Sequence, residues 1–234
     1  MKKILFKFIF ISIILLGCNN SNNKSMNISG SIKGLKKGTL YLQKLKDSSL
    51  INVDSFKVNG QKNYFLADNI IDSEMYYLYL NKEDGDTLND RISFFGEKGN
   101  IKINTLLTTF ESSAKIYGSE NNLIWEEYNS MIRKFNSKNL EIIKEYINKK
   151  DIVPDKERLE IFENESNNLL KRRYLFSLNF ASLHSNKTIA PYIALYEVPD
   201  ANPRLLDTLY SNLSEEVRNS KYGKIFGLHL NKIK

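Results

Sequence analysis

The feature that most constrains the fold is a change of sequence pattern at Gly118. From residue 26 up to that point, short segments rich in Ile, Val, Thr, Tyr and Phe alternate with turn signals such as Lys37-Gly38, which is typical of antiparallel strands. The predicted strands are 27–32, 39–45, 51–58, 63–67, 75–80, 91–95, 100–104 and 106–117. Their spacing predicts an antiparallel β-sandwich or a partly open barrel over residues 26–118.

Two details of this β region follow from its residues. Segment 75–80 is apolar on both faces, so we expect a central strand in which three tyrosine hydroxyls need hydrogen-bond partners or a wet edge. The dipeptide Asn59-Gly60 predicts a two-residue hairpin, because both central positions of that turn need a positive φ.

After Gly118 apolar residues recur at helical spacing, so residues 119–234 predict a helical domain and the whole chain an α+β fold. The stripe of the first helix is Leu123, Tyr128, Ile132, Phe135, Leu140, Ile143 and Ile147. Pro154 predicts the first turn of a second helix that reaches about residue 182. Further helices are expected over 188–197 and, as one or two short elements, over 214–232, where Ser214 is an N-cap residue.

Residues 1–17 have the features of a secretory signal peptide. Three lysines precede or interrupt an apolar run that ends before Gly17, a small residue at the expected cleavage point. Cys18, the one cysteine of the chain, follows directly, and a small residue before Cys resembles the bacterial lipobox. We therefore predict cleavage after residue 17 and lipidation of Cys18. An uncleaved or non-lipidated signal and a chance match are the alternatives. The apolar run is shorter than the about 20 residues that a transmembrane helix needs.

Lipidation decides where the protein works and what Cys18 can do. An acylated cysteine is no catalytic thiol, disulfide partner or metal ligand. Residues 18–25 are polar and predict a flexible tether between lipid and fold. Asn19, where Asp would favour inner-membrane retention, and the absence of an acidic cluster in the tether favour the outer membrane. The predicted location is its periplasmic face, with the membrane as a partner through the lipid anchor.

Charge excludes nucleic acid as a partner. The formal net charge is +7, and three of these positive charges leave with the predicted signal peptide. The net positive charge that remains is small for a chain of this length. It indicates a solvated surface with some attraction to anionic lipid.

No pattern in the sequence indicates catalysis, a metal or a cofactor. The two histidines, His184 and His229, lie far apart, and neither has a second ligand at useful spacing. No Ser stands in a nucleophile-elbow setting, and no glycine loop ends in the Lys-Ser/Thr of a P-loop. The acidic cluster 83–86 is interpreted as a hairpin turn, and the basic run 171–173 as the solvated face of a helix.

Two threonines are candidates for a covalent modification. Thr87 and Thr208 each stand between Asp and Leu, a pattern that resembles a short sequon for periplasmic O-glycosylation. Such patterns also arise by chance, so an ordinary surface threonine is the alternative at both positions.

Five segments are similar to one known domain family. They are ISGSI at 28–32, KGTLYL at 37–42, VDSFKVNG at 53–60, YYLYL at 76–80 and IYGS at 116–119. Residues 27–117 thereby resemble the N-terminal β domain called domain of unknown function 4369. In similar proteins a helical segment follows, which residues 190–224 resemble, and a TlpA-like thioredoxin domain with a C-x-x-C motif comes last.

The resemblance implies a lipoprotein related to thiol–disulfide oxidoreductases, but it brings no catalytic residue to this chain. Thiol–disulfide exchange requires a thiolate and a resolving thiol. The sequence contains no C-x-x-C motif and ends about where the redox domain of similar proteins begins.

The leading hypothesis is a non-enzymatic lipoprotein that acts as a binding or scaffold module, and a periplasmic protein is the partner that this hypothesis implies. The alternative is an accessory subunit of a TlpA-like redox system whose thioredoxin domain is encoded separately. A third hypothesis is a hydrolase that uses Asp or Glu, which requires an aromatic-lined cleft with convergent carboxylates.

A ligand is expected where strand aromatics meet the helices. The candidate residues are Tyr76, Tyr77, Tyr79, Phe94, Phe95 and Trp125. Core packing is the competing interpretation of the same residues.

Overall fold

The computed structural model describes residues 25–82, 91–150 and 152–233, and it confirms the α+β class. Strands come first and helices follow. The strands are β1 (Ser25–Lys33), β2 (Lys37–Lys46), β3 (Ser49–Asn59), β4 (Asn63–Asn69), β5 (Glu74–Asn81), β6 (Arg91–Gly96), β7 (Gly99–Leu106) and β8 (Lys115–Tyr117). The helices are α1 (Glu120–Asn148), α2 (Asp155–Leu183), α3 (Ile189–Tyr196), α4 (Pro203–Asn212), α5 (Glu215–Asn219) and α6 (Lys221–Ile233).

The described strands form two four-stranded sheets in the orders β4-β1-β7-β8 and β3-β2-β5-β6. Apolar side chains from both sheets meet in one interior, so the β region is a sandwich. This sandwich core includes Met26, Ile28, Leu40, Leu42, Tyr76, Leu78, Phe94, Ile101 and Ile103. As the apolar pattern of 75–80 predicts, β5 lies inside its sheet, between β2 and β6.

One strand pair departs from the antiparallel expectation. β1 and β7 run parallel, with Ile28 opposite Ile101. The short turn between β6 and β7 carries the chain from one sheet to the other. The direction of β7 is therefore set by that crossing and not by a hairpin with β1.

The last predicted strand is largely wrong. Residues 106–117 read as one strand, but β7 ends at Leu106, a 3-10 turn follows over Leu107–Thr109, and β8 has three residues. Side chains bind the backbone in this turn: the Thr105 hydroxyl donates to the Phe110 carbonyl at 2.6 Å, and the Ser113 hydroxyl accepts from the Leu106 N–H at 3.0 Å. Such local bonds compete with a strand ladder.

The two-residue hairpin lies at Asp47-Ser48, so its prediction at Asn59-Gly60 is wrong. Asp47 and Ser48 have φ angles of 48° and 66°, and Lys46 pairs with Ser49 across the turn. At the predicted place β3 and β4 belong to different sheets. The turn there connects the two sheets, and only its glycine has a positive φ, at 85°.

The structure contains the predicted helices and also a helix, α4, that was not predicted. The unpredicted helix α4 begins with a clear signal, because the Asn202 side chain accepts from the Arg204 N–H at 2.9 Å and Pro203 occupies the first turn. The C-terminal stretch divides into α5 and α6 at Ser220.

A second apolar cluster joins the helices to the sandwich. Alternate residues of a strand point to opposite faces, so Met75 and Phe95 leave the sandwich core and meet the helices on the outer face of β5 and β6. The helical core includes Met75, Phe95, Tyr128, Leu178, Ala181, Ile189, Ile193, Tyr222 and Phe226.

The outer half of the α1–α2 pair extends away from this core. There Ile142 is buried and Tyr146 packs on Phe162 with ring centroids 4.8 Å apart. Leu140 and Ile147 are 65% and 62% exposed, so their assignment to a continuous core stripe is wrong. They lie on the side of α1 that turns away from α2.

Among the described residues, no helix combines the length and the apolar character that crossing a membrane requires.

Candidate functional site

The main candidate site lies at one side of the sandwich, where each of the two sheets ends in an edge strand. Among the described strands, β6 is an edge of one sheet and β8 an edge of the other; helix α1 begins shortly after β8 and contacts β6. A cleft of about 520 Å³ remains between them. Its lining includes Ile92 and Ser93 from β6, Glu111, Ala114 and Ile116 from β8 and the turn before it, and Asn122, Trp125, Glu126, Asn129 and Arg133 from α1.

Helix α1 is attached to the edge of β6 by side-chain hydrogen bonds. The Ser119 hydroxyl donates to the Phe95 carbonyl at 2.7 Å, and the Asn122 side-chain oxygen accepts from the Phe95 N–H at 3.1 Å. Ser119 is also the N-cap of α1, because its hydroxyl oxygen accepts from the Asn122 N–H at 3.0 Å. Two side chains thus take the place of a neighbouring strand and fix the start of the helix against the sheet.

Gly118 makes this attachment geometrically possible. Its φ of 91° turns the chain from β8 into α1, and a Cβ at this position would lie 2.1 Å from the Asn100 carbonyl oxygen. The residue where the sequence pattern changes is therefore also the residue that aims α1 at the edge of the sandwich.

The N-terminus of α1 is a junction of three elements. The Glu97 carboxylate accepts from the Glu120 N–H and, at 2.7 Å, from the Asn121 side-chain amide. An anion at this end of a helix is favoured by the helix dipole. The Asn121 side-chain oxygen accepts from the Ile189 N–H at 3.1 Å and so ties α3 to the same point.

Trp125 presents a rigid aromatic ring to the cleft. It is the one tryptophan of the chain and is partly buried. Its ring stacks on Tyr128, with centroids 5.6 Å apart and planes 17° apart, and meets Tyr192 edge-on at 5.5 Å. These contacts fix the orientation of the ring before any ligand arrives.

The polar rim of the cleft comes from one face of α1. Asn122, Glu126, Asn129 and Arg133 follow each other at intervals of four, three and four residues, which places them on the same side of the helix. The Asn122 side-chain N–H donates to Glu126 Oε1 at 2.9 Å. A periodic polar stripe beside a tryptophan was the signal in the sequence for this rim, and the aromatic pattern alone did not identify it.

Behind Trp125, the Tyr128 hydroxyl takes part in a group of hydrogen bonds. It lies 2.7 Å from the Ser177 hydroxyl and 3.4 Å from Glu197, which pairs with Arg173 at 3.0 Å. Burial raises the pKa of Tyr128 well above its usual value, so this hydroxyl stays protonated. The bonds hold the ring on which Trp125 stacks.

The structure separates the predicted aromatic residues into three groups. Tyr76 and Phe94 stack at 6.0 Å within the sandwich core. Phe95, Tyr77 and Trp125 belong to or pack against the helical core. Tyr79 lies on the outer face of the sheet.

On that outer face Tyr79 stacks on Tyr41 at 6.0 Å, and the Arg91 guanidinium lies over the Tyr79 ring at 5.3 Å. Of the predicted aromatic residues, Trp125 is the one that lines the main cleft. The strand tyrosines are not part of the lining of this cleft, and their role as ligand-facing residues stays a prediction.

The hydroxyl of Tyr76 belongs to a partly buried charge network that connects the two sheets. It donates to Asp68 on β4 at 2.7 Å and accepts from Lys44 on β2 at 3.2 Å, and Lys44 pairs with Asp68 at 2.6 Å. Burial, followed by the bond to Asp68, raises the Tyr76 pKa. The expectation that a central tyrosine needs a hydrogen-bond partner is confirmed.

The same network reaches the last helix. Glu74 is buried and pairs with Lys44 at 3.5 Å and with Lys221 at the start of α6. The next residue, Tyr222, accepts the Met75 N–H at 3.0 Å with its hydroxyl oxygen. These bonds attach α6 to β5, and we assign them a structural role.

The remaining sequence candidates have ordinary surroundings or fall outside the described residues. Within the described ranges no three metal-ligating side chains come together. His184 packs on Phe180 at 4.6 Å, and His229 Nε2 lies 2.7 Å from the Pro199 carbonyl oxygen. Cys18, Thr87 and the acidic cluster 83–86 lie outside the described residues.

Thr208 is exposed on α4, where its hydroxyl donates to the Arg204 carbonyl at 2.9 Å. Its O-glycosylation stays a prediction.

Fold and cleft together define a class: a β-sandwich protein whose open side is closed by a helix that carries a candidate ligand site. Residues 26–125 match the model of the family described as Domain of unknown function (DUF4369). The match runs from β1 to Trp125, and it confirms the resemblance predicted over residues 27–117. No curated protein and no solved structure matches the chain. The link to lipoproteins and TlpA-like proteins stays a prediction.

Proposed function

We propose that this chain is a lipid-anchored, periplasm-facing binding module without catalytic activity, and that the cleft beside Trp125 is its ligand site. The observation that carries the proposal is the preformed combination of one fixed aromatic ring with a polar rim. The pattern around Cys18 supports the anchor, and the polar tether of residues 18–25 allows the fold to stand away from the lipid.

The cleft has the properties of a small-molecule site. Its volume of about 520 Å³ falls within the range of known ligand pockets, and it combines apolar walls with a few polar groups. The bonds from Ser119 and Asn122 to Phe95 hold its helical wall in place. A site that needs no ordering on binding loses little free energy to conformational entropy.

Binding can be tested optically, because Trp125 is the one tryptophan of the chain and lines the cleft, so a ligand bound there changes the surroundings of the indole ring. We would titrate the purified protein with saccharide and peptide fractions of a bacterial cell-envelope hydrolysate. At least one fraction is expected to shift the Trp125 emission. Arg133→Ala should weaken this response, and Lys134→Ala, an exposed neighbour outside the cleft lining, should leave it unchanged. Unchanged emission with every fraction would contradict the proposed site.

The anchor needs its own test. Labelled palmitate should enter the wild-type protein and not Cys18→Ala, and globomycin should block processing of the wild type. Wild-type mature protein found in the soluble periplasmic fraction would refute the anchor and leave the cleft proposal standing.

Hydrolysis is the second candidate, because two carboxylates, Glu111 and Glu126, line the aromatic cleft. Chromatography of envelope saccharides after incubation with the protein would detect it. Cleavage that is lost in Glu126→Gln and kept in Glu127→Gln would replace the non-enzymatic proposal. The redox-accessory hypothesis stays a prediction that the reading frame next to the gene would test.

A further inference from the structure

We propose that the ligand of this cleft is an oligosaccharide, bound with a pyranose ring stacked on Trp125. The inference rests on the proposed function and adds the chemical class of the ligand. It follows from the composition of the lining. One flat apolar surface of fixed orientation is surrounded by groups that form hydrogen bonds in defined planes.

The aromatic surface suits the face of a sugar ring. A pyranose exposes C–H bonds on its faces, and the negative face of an aromatic ring attracts the positive edge of such bonds. Trp125 lines the cleft and is only partly buried, while Tyr128 stacks on its ring at 5.6 Å and Tyr192 contacts it edge-on. The ring surface that these two neighbours leave uncovered is the one proposed for the sugar. The ring cannot rotate away without losing both contacts.

The rim suits the edge of a sugar ring. Hydroxyl groups donate and accept at once, and they pair best with amide, carboxylate and guanidinium groups that offer two atoms in one plane. Asn129, Glu126 and Arg133 supply one of each at helical spacing. Asn122 is a positioning residue, because its amide joins the Phe95 N–H at 3.1 Å to Glu126 at 2.9 Å and so orients that carboxylate.

Charge and polarity disfavour other ligand classes. Two carboxylates face one guanidinium in the lining, and this excess of negative charge repels a phosphate or nucleotide. A purely apolar ligand would displace water from the Asn129 amide and the Ser93 hydroxyl without offering them hydrogen bonds, which is costly. An extended peptide that adds to the edge of β6 meets an edge whose groups at Phe95 are already bound by Ser119 and Asn122.

The test uses the full-length folded protein and three probes: maltotriose, cellotriose and triacetylchitotriose. Saturation-transfer NMR and Trp125 emission are measured for each probe. At least one is expected to bind with a shift in emission. Asn129→Ala and Arg133→Ala should each weaken it about tenfold, as expected for lost hydrogen bonds. Glu127→Gln and Lys134→Ala, exposed neighbours on the same helix, should bind as the wild type does.

The outcomes separate this inference from the proposal on which it rests. If no trisaccharide binds but a peptide fraction of the envelope hydrolysate shifts the Trp125 emission, the saccharide inference is overturned and the binding function stands. If neither trisaccharides nor any fraction alters the emission, both fail. Equal weakening by Asn129→Ala and Lys134→Ala would place the bound sugar outside the cleft and overturn the inference. Circular dichroism of each variant confirms that it is folded.

Discussion

The two apolar cores of this protein are built from different elements but share two strands. The sandwich core is made of strand residues and the turns that connect them, whereas the helical core takes two strand residues, Met75 and Phe95, and surrounds them with helices. Phe94 and Phe95 are neighbours in sequence and belong to different cores. Because a strand alternates its faces, one sheet serves as the wall of both.

This sharing gives the two cores different vulnerabilities. A change within the sandwich core acts first on contacts between the sheets, while a change at the outer face of β5 or β6 acts on the attachment of the helices and on the cleft. Shared strands predict that both regions unfold in one cooperative transition.

Alkaline pH is expected to have the largest effect, and it acts on both cores. Burial raises the pKa of Tyr64 and Tyr76 in the first, and of Tyr128, Tyr192 and Tyr222 in or beside the second, above the usual 10.0. The unfolded chain therefore loses these protons first as the pH rises past 10.0. The free energy of unfolding then falls by about 1.4 kcal/mol per pH unit for each such tyrosine.

Urea unfolding and tyrosinate absorbance across this pH range would check the expectation. Tyrosine ionisation coincident with unfolding supports it. Equal stability at pH 8 and at about pH 11 would contradict the burial-driven shifts. Tyr64→Phe and Tyr128→Phe then compare the contributions of the two cores.

Phe95→Ala is expected to cost about 3–5 kcal/mol, because it removes a fully buried ring and leaves a cavity between sheet and helices. Phe94→Ala is the matched variant for the sandwich core, with a cost of the same order. Trp125 emission and far-ultraviolet circular dichroism should lose signal at one urea concentration in each variant. Two separate transitions in Phe95→Ala would show that the cores are independent.

Tyr222→Phe is expected to cost about 1–3 kcal/mol, because the buried Met75 N–H loses its hydrogen-bond partner. The loss weakens the attachment of α6 to β5 and leaves the sandwich core untouched. Tyr117→Phe, at a side chain that is 54% exposed, is the control and should change little. Equal thermal midpoints for the two variants would argue against a structural role for this bond.

Ser119→Ala is expected to cost about 1 kcal/mol, because the residue both caps α1 and binds the Phe95 carbonyl. Ser182→Ala, at an exposed position of α2, is the control. Chemical denaturation measures the difference, and Trp125 emission shows whether the wall of the cleft loosens. A larger loss in the control would mean that the cap is not what holds α1.

Leu140→Gln is expected to change stability by less than about 0.5 kcal/mol, because the side chain is 65% exposed on the outer half of α1. Ile142→Gln, two residues further on, buries a polar group between α1 and α2 and should be clearly destabilising. Similar losses for both variants, measured by thermal unfolding, would show that the exposed stripe is covered in solution.

Local signals predicted much of the fold, and the misses have physical causes. Strand composition and turn residues located most strands, and apolar spacing, together with Pro154 and the N-cap Ser214, located most helices. The segment 106–117 failed because the Thr105 and Ser113 hydroxyls bind the backbone of a turn that composition does not reveal. The Asn59-Gly60 hairpin failed because a turn between sheets and a turn within a sheet use the same residues.

For the candidate site, sequence reasoning identified Trp125 and missed its surroundings. The tyrosines of β5 are close in sequence, but Tyr76 points into the sandwich core whereas Tyr77 and Tyr79 lie on the opposite face of the strand. Asn122 gains its importance from the Phe95 N–H, which lies 27 residues away along the chain, and Glu126 is oriented through its hydrogen bond with Asn122. A pattern of neighbouring residues cannot reveal a contact between residues so far apart in sequence.

The sequence by itself determined the succession of strands and helices along the chain, the change at Gly118 and the helix starts at Pro154 and Ser214, because turn and capping preferences act over a few residues. The tertiary structure decided the parallel pairing of β1 with β7, the separation of Phe94 from Phe95 into two cores and the cleft beside Trp125. These features depend on how the two sheets and the helices pack against each other. The contacts involved join residues far apart in sequence, so no single segment encodes them.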